Sequence, residues 1–516
     1  MDPSPDVVLD GRSLTLADVG RVAHDGARVG LSPEASKAVQ RSAEALARMI
    51  ADGTPIYGVT TGFGALDGRS VDPGANAAQQ HNLLKSHAAA VGPPMATAET
   101  RAMMAVRANV LASGVTGVRP ACLDTLLAML NARVTPAVPR TGSVGACGDL
   151  APLAHMALPM IGHGRARIED GPWLDGGDAL AEVGIDLPDL IHRDGIALIN
   201  GTEQTTGIGA LTLLDAQALT RAAEAVAALT LEAVGGLPDS FDERVALLKP
   251  HAGQMATSAA LRGLLEDSQA VRPPRPSRLR DALSLRCIAQ VLGAVRDALA
   301  RARETLEIEI NAANDNPLFG VDDGWVTSNS GNFHGQAVAD VLDSAATSLT
   351  SLAVISERRS ARMVDANHNN GLPAFLIHPD ARPGENSGYM IAQYTAAALV
   401  AELRQNAVPA SIQSIPTCAN TEDHVPMAPL AAQRLRRNVD AAWRVLAIEF
   451  LLACQALDLG GTPPAPALQP LYARLRAVVA TMITDRPVGE DIAQAEAILK
   501  ANPDLTAPAP PAEADA

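Results

Sequence analysis

The stretch EQTTGIGALTLLDAQALTRAAEAVAALTLEAV, residues 203–234, decides the fold. It is long and rich in Ala and Leu, and Asp215, Arg221, Glu224 and Glu232 interrupt it. Those charges argue against a membrane span and favour a buried helix. Similar stretches follow at 284–311, 333–362, 386–406 and 430–458, while β-branched runs of period two are few. The expected fold is mainly α: a long antiparallel helical bundle, with a smaller N-terminal domain carrying the loop at 142–155. The expected division is 1–200, then the bundle at 201–480, then 481–516 with a C-terminal helix and a disordered Pro/Ala tail.

Composition bounds the function. The 516 residues are 47% hydrophobic and 19% charged, which is globular and not disordered. The net charge of −16 argues against a nucleic-acid partner. The Pro-Arg cluster at 268–280 therefore reads as a solvated loop. Cys122, Cys147, Cys287, Cys418 and Cys454 are odd in number, widely spaced and without a CxxC, so free thiols in a reducing cytoplasm are expected. The N-terminal stretch MDPSPDVVLDGRSL lacks a basic region and an apolar region, so no signal peptide is expected.

Local patterns set further expectations. Val7–Leu9 and Leu14–Leu16, around Asp10-Gly11, read as a β-hairpin. Ser32-Pro33 opens a helix that ends near Asp52-Gly53. Residues 54–80 read as a long, functional loop, and 96–135 as helical.

Residues 142–155 read Gly-Ser-Val-Gly-Ala-Cys-Gly-Asp-Leu-Ala-Pro-Leu-Ala-His, and the triplet Ala146-Cys147-Gly148 can cyclise on itself. The Gly148 amide nitrogen attacks the Ala146 carbonyl carbon, an approach that the absence of a Cβ permits. Loss of water closes a five-membered ring, and loss of the Cys147 sulfur as hydrogen sulfide leaves an exocyclic alkene. The product is an electrophile built from the chain. Asp149 is placed to cap the helix that starts at Leu150, whose N-terminus would favour negative charge.

Several blocks in order resemble the aromatic amino-acid ammonia-lyase family, its histidine branch most of all. They are Tyr57-Gly-Val-Thr-Thr-Gly-Phe-Gly64, Asn82-Leu-Leu-Lys-Ser-His-Ala88, the 142–155 block, Ala197-Leu-Ile-Asn-Gly-Thr202, Ser284-Leu-Arg-Cys287, Asp315-Asn-Pro-Leu318, Gly331-Asn-Phe-His-Gly-Gln336, Ile355-Ser-Glu-Arg-Arg359 and Glu422-Asp-His-Val425. The resemblance implies that the triplet becomes a methylidene-imidazolone (MIO) group, with no metal. It implies Tyr57 as the base for the β-proton, Arg286 as the carboxylate anchor and Asn200 near the prosthetic group and the substrate amine. Phe333 would be a pocket wall, His87 and Glu422 the readers of the substrate ring, and Gln336 a further binding residue. An imidazole substrate suits a carboxylate and a hydrogen-bonding partner, whereas a phenyl ring suits an apolar wall. Each of these residues has a plain structural alternative: a turn tyrosine, a surface ion pair, an Asn-Gly turn, core packing, a satisfied core histidine. His87, Glu422 and His424 lack zinc-like spacing. The resemblance also implies a cytoplasmic homotetramer whose active sites are shared between subunits.

The chain departs from the family pattern at several positions. Cys147 replaces serine, Leu283 replaces a tyrosine, and Arg280 and Ala289 stand where glutamine and proline are common. Gly335-Gln336 follows the phenylalanine-type pattern. The expected activity is non-oxidative elimination of ammonia from histidine or a histidine-like amino acid, giving urocanate from histidine. The alternatives are a 2,3-aminomutase, a phenylalanine- or tyrosine-type ammonia-lyase, and a non-catalytic homologue in which Cys147 stays a thiol.

Overall fold

Helices dominate the chain, as the long apolar stretches predict. The computed structural model describes residues 4–271, 279–320, 325–382 and 384–502. Most of the Pro-Arg segment at 268–280 and all of the tail at 507–516 lie outside the described residues. The long helices are Glu203–Ala233, Ile288–Glu309, Gln336–Val364, Met390–Asn406 and Ala428–Gly460. Two compact units emerge, neither of them one contiguous stretch. One comprises Met1–Leu214, Ala302–Asp343 and Pro409–Gln433; the other comprises Asp215–Arg301, Ser344–Val408 and Arg434–Ala516.

The first unit combines shorter helices with small sheets. Ser32 caps the helix Pro33–Ala51 through its side chain, and the helix stops at Asp52, as the sequence predicts. The expected hairpin at residues 7–16 does not form. Val7–Leu9 pairs in parallel with Val29–Leu31 instead. A capping box between Thr15 and Asp18 starts a helix at Leu16, so Leu14–Leu16 is not free to pair as a strand. Residues 54–75 form a loop with single 3₁₀ turns at Gly64–Leu66 and Pro73–Ala75, before the helix Asn76–His87. That loop is anchored where Ile56 and Val59 pack with Leu46 and Phe319.

The second unit is the bundle. Glu224 meets Arg296 there, and in the first unit Thr202 meets Glu309, so the 203–233 and 288–309 helices run in opposite directions. Glu357 bonds Gln393 and Thr350 bonds the Leu403 carbonyl, so the 336–364 and 390–406 helices are also opposed. Asn438 beside Ala346 and Glu449 beside Ser356 make the 428–460 helix parallel to 336–364. Consecutive long helices therefore alternate in direction along the chain.

A fully buried ion pair joins three of them. Arg359 Nε and Nη2 donate to the Glu449 carboxylate at 2.5 and 2.7 Å, and Thr230 and Ser356 hydroxyls donate to the same oxygens. Both side chains are shut off from solvent. Removing one member leaves an unpaired buried charge, which costs about 3–5 kcal/mol. Glu449→Leu is expected to shift urea unfolding to markedly lower concentration, and Arg359→Met added to it is expected to restore most of the loss. Equal midpoints for wild type and Glu449→Leu would contradict this.

Candidate active site

The triplet loop is threaded between the other expected site segments by main-chain hydrogen bonds. Asp149 N donates to Gly201 O at 2.5 Å, Gly335 N to Gly145 O at 3.1 Å, and Met427 N to Val144 O at 2.9 Å. Each bond fixes a neighbour: Asn200 precedes Gly201, Phe333 lies two residues before Gly335, and Glu422 lies five before Met427. His87 comes from a fourth direction. It ends the 76–87 helix, and the strand after it, Val91–Pro94, pairs antiparallel with Pro139–Thr141, which leads into the loop.

The triplet itself is tightly confined. Ala146 is buried, and Gly148 has φ +77°. A Cβ on Gly148 would lie 2.6 Å from Gly201 O, and a Cβ on Gly201 would strike the Arg107 and Glu203 side chains. The two glycines thus sit back to back with no room for a side chain on either. Ser143 Oγ donates to Asp149 Oδ1 at 2.7 Å and accepts from Gly145 N at 3.0 Å.

Asp149 does something other than expected. It precedes Leu150–Ala157 but makes no side-chain cap there. Its Oδ2 accepts the Thr205 amide at 2.8 Å, in the first turn of the 203–233 helix. The carboxyl thus satisfies an orphan donor of a different helix and meets its positive end. Complete burial pushes it up to about 6.

A cavity of about 930 Å³ gathers Tyr57, His87, Cys147, Asn200, Phe333 and Glu422. Tyr57 Oη accepts the Gly64 amide at 2.8 Å, and its ring meets Phe63 edge-on. Burial raises its pKa, against the lowering effect of that amide. His87 Nδ1 lies 2.9 Å from Leu83 O, a carbonyl that can only accept, so Nδ1 carries the proton and Nε2 is left as an acceptor. Burial lowers the His87 pKa and keeps the ring neutral. Glu422 Oε2 accepts Thr417 Oγ1 at 2.5 Å. Asn200 Nδ2 donates to Asp315 Oδ1 and Asn316 O at 3.0 and 2.7 Å.

Arg286 and Gln336 are not among the cavity's lining residues. Arg286 ends the short helix Leu283–Arg286 in the second unit, and its Nε is buried with no hydrogen-bond partner among the described residues. Gln336 starts the 336–364 helix and bonds Asp340 at 2.8 Å. Residues outside the quoted motifs also hold the site. Asn76, Gln79 and Gln80 bond the carbonyls of Val59, Thr61 and Gly58, which fixes the loop beyond Tyr57. Their spacing puts them on one face of the helix, which is the signal available in the sequence. Cys418 lines the cavity too. A separate cavity of about 750 Å³, lined by Thr60, Thr61, Asp67 and His192, holds none of the expected site residues.

Residues 14–477 match the family described as aromatic amino acid lyase. The chain is 46% identical over 498 residues to a histidine ammonia-lyase of Symbiobacterium thermophilum, covering 96% of this chain and 97% of that one. Among solved structures it resembles a tyrosine aminomutase from Streptomyces globisporus, with a TM-score of 0.92, 38% identity and coverage of 97% and 98% of the two chains. It also resembles a histidine ammonia-lyase from Trypanosoma cruzi, with a TM-score of 0.89, 34% identity and coverage of 96% and 93%. The protein is a carbon–nitrogen lyase in class. It belongs to the aromatic amino acid lyase family.

The packing of the loop yields a sharp expectation. Gly148→Ala would force a Cβ into the Gly201 backbone at a left-handed φ, so it should yield insoluble protein or protein with a strongly lowered melting temperature. A soluble variant melting with wild type would show that the loop can yield.

Proposed function

We propose that this protein eliminates ammonia from L-histidine to give urocanate, using an MIO group formed by Ala146, Cys147 and Gly148. The observation that carries the reading is the meeting of Tyr57, His87, Cys147, Asn200, Phe333 and Glu422 around one cavity. The confined Gly148 and the frame of hydrogen bonds around the loop fit a ring closed at that point. Once formed, the group would supply an electrophilic carbon to the substrate amine.

The chain's own residues do the rest. Tyr57 takes the β-proton, and the Gly64 amide on its oxygen is the contact that favours the phenolate. His87 Nε2 and the Glu422 carboxylate both accept hydrogen bonds. An imidazole ring offers one N–H when neutral and two when protonated, and a phenyl ring offers none. A site built on such bonds rejects a ring that leaves its acceptors unpaired. Phe333 walls the pocket, and Asn200, held from below by Asp315, presents its amide oxygen to the amine.

Arg286 grips the substrate carboxylate as a bidentate partner, and Gln336 assists binding. Since neither lines the cavity, both act in a site completed by another copy of the chain, in a cytoplasmic homotetramer. Exposed Leu283, Ile391 and Tyr394 support such an assembly, because burying them favours association. The 336–364 helix is long and apolar enough to span a membrane by composition, but 67% of its apolar window is buried in the fold, which favours a soluble protein.

One observation favours a second reading, a 2,3-aminomutase. The similarity to a tyrosine aminomutase extends over nearly the whole chain.

Steady-state assays with product analysis decide between these readings. Histidine is expected to outrank phenylalanine and tyrosine, giving urocanate and ammonia in equal amounts. His87→Leu should erode that ranking. Accumulation of a β-amino acid would establish the aminomutase, and phenylalanine or tyrosine in first place would overturn the assignment of the ring readers. Tyr57→Phe should lower turnover by roughly a hundred- to ten-thousand-fold with the fold intact. In wild type the rate should climb on the alkaline side, because the base works deprotonated and burial raises its pKa. A flat alkaline limb, or turnover by Tyr57→Phe within a few-fold of wild type, would assign the proton to another group.

A further inference from the structure

Cys147 stands where two cavities meet. The larger is the one described above. The smaller, about 330 Å³, is lined by Gly142, Ser143, Gly148, Ala151 and Thr417. Cys147 and Glu422 line both. In the uncyclised chain the Cys147 thiol and the Glu422 carboxylate therefore face the same two spaces. That carboxylate is held in turn by the Thr417 hydroxyl at 2.5 Å, and the Thr417 amide donates to Glu422 O at 2.9 Å. The partner that faces the sulfur is thus an ionisable group fixed from behind. Burial, with Glu422 adding to it, raises the thiol's pKa, so the sulfur is stored protonated. Its elimination also releases the proton on the Cys147 Cα, and that proton needs an acceptor at that point.

We propose that Glu422 is a catalytic group in the chain's own maturation, relaying the proton with which the Cys147 sulfur leaves as hydrogen sulfide. The inference rests on the reading that residues 146–148 close into a ring. After ring closure has expelled water, a β-elimination at residue 147 remains. The Cα–H bond breaks, and its electron pair becomes the second bond between Cα and Cβ. The Cβ–Sγ bond breaks and its pair goes to sulfur, which keeps its own hydrogen and leaves as hydrosulfide. The Cα proton passes to the Glu422 carboxylate and from there to the hydrosulfide, completing hydrogen sulfide. Nothing is oxidised or reduced, and no co-reactant is needed. The smaller cavity, which shares His87, Cys147 and Glu422 with the larger one, gives the released molecule room beside the loop.

The test uses the full-length chain made by cell-free synthesis, with trapped sulfide measured over time and intact mass at the end. Wild type should release one sulfide per chain and lose one water besides. Glu422→Gln should release sulfide roughly a hundredfold more slowly and retain sulfur in its intact mass. Thr417→Val, which keeps the carboxylate but frees it, should be slowed several-fold. Release by Glu422→Gln at the wild-type rate overturns the relay while leaving ring closure standing. No sulfide from wild type removes ring closure, and the relay with it. If circular dichroism shows that Glu422→Gln does not fold, Thr417→Val decides: slowed release supports the relay, and a wild-type rate overturns it.

Discussion

The contact on which the site depends is between two backbones. Gly148 and Gly201 press together without side chains, and the Asp149 amide bonds the Gly201 carbonyl between them. This joins the triplet loop to the start of the 203–233 helix, the element that leads into the bundle. Asp149 strengthens the junction by taking an amide of that helix's first turn into its buried carboxyl. Leaving such a donor buried and unpaired would cost about 1–3 kcal/mol. The loop is thereby fixed in left-handed turns at Gly145 and Gly148, which glycine adopts without strain. A preformed turn is what an attack by one backbone group on another requires, since it supplies proximity before any bond is made.

Beneath that junction lies a buried polar layer that fixes Asn200. Arg107 donates to Glu203 at 2.8 Å and to the Asn200 carbonyl at 3.1 Å, and Arg193 forks onto Asp315 at 2.9 and 2.6 Å. All four charged side chains are shut off from water. Burying four charges is expensive, and the layer survives because each is paired and hydrogen-bonded. Its return is geometric: Asp315 also takes the Asn200 amide, so a side chain that lines the cavity is positioned by groups that cannot move independently.

The long helices were legible because their apolar composition and interrupting charges suit a buried helix, and the 33–51 helix because Ser32-Pro33 is a strong start. The hairpin at residues 7–16 was misread because the Thr15–Asp18 capping box competes with strand pairing, and because the true partner, Val29–Leu31, is remote. Tyr57, His87, Cys147, Asn200, Phe333 and Glu422 were found as motif residues, yet their convergence on one cavity is a property of tertiary contacts. The link from Asp149 to Thr205 spans 56 residues, and no local pattern announces it. Arg286 and Gln336 show the converse: motifs mark them, but the cavity of a single chain does not include them.

The central claim is that the confined loop makes its own electrophile from a cysteine. The most direct measurement is peptide mapping of the purified protein after treatment with a thiol-alkylating reagent under denaturing conditions. The account predicts that the peptide containing residues 142–155 lacks one water and one hydrogen sulfide and takes up no reagent, while Cys122, Cys287, Cys418 and Cys454 are alkylated. A peptide of full mass, alkylated at Cys147, would contradict it.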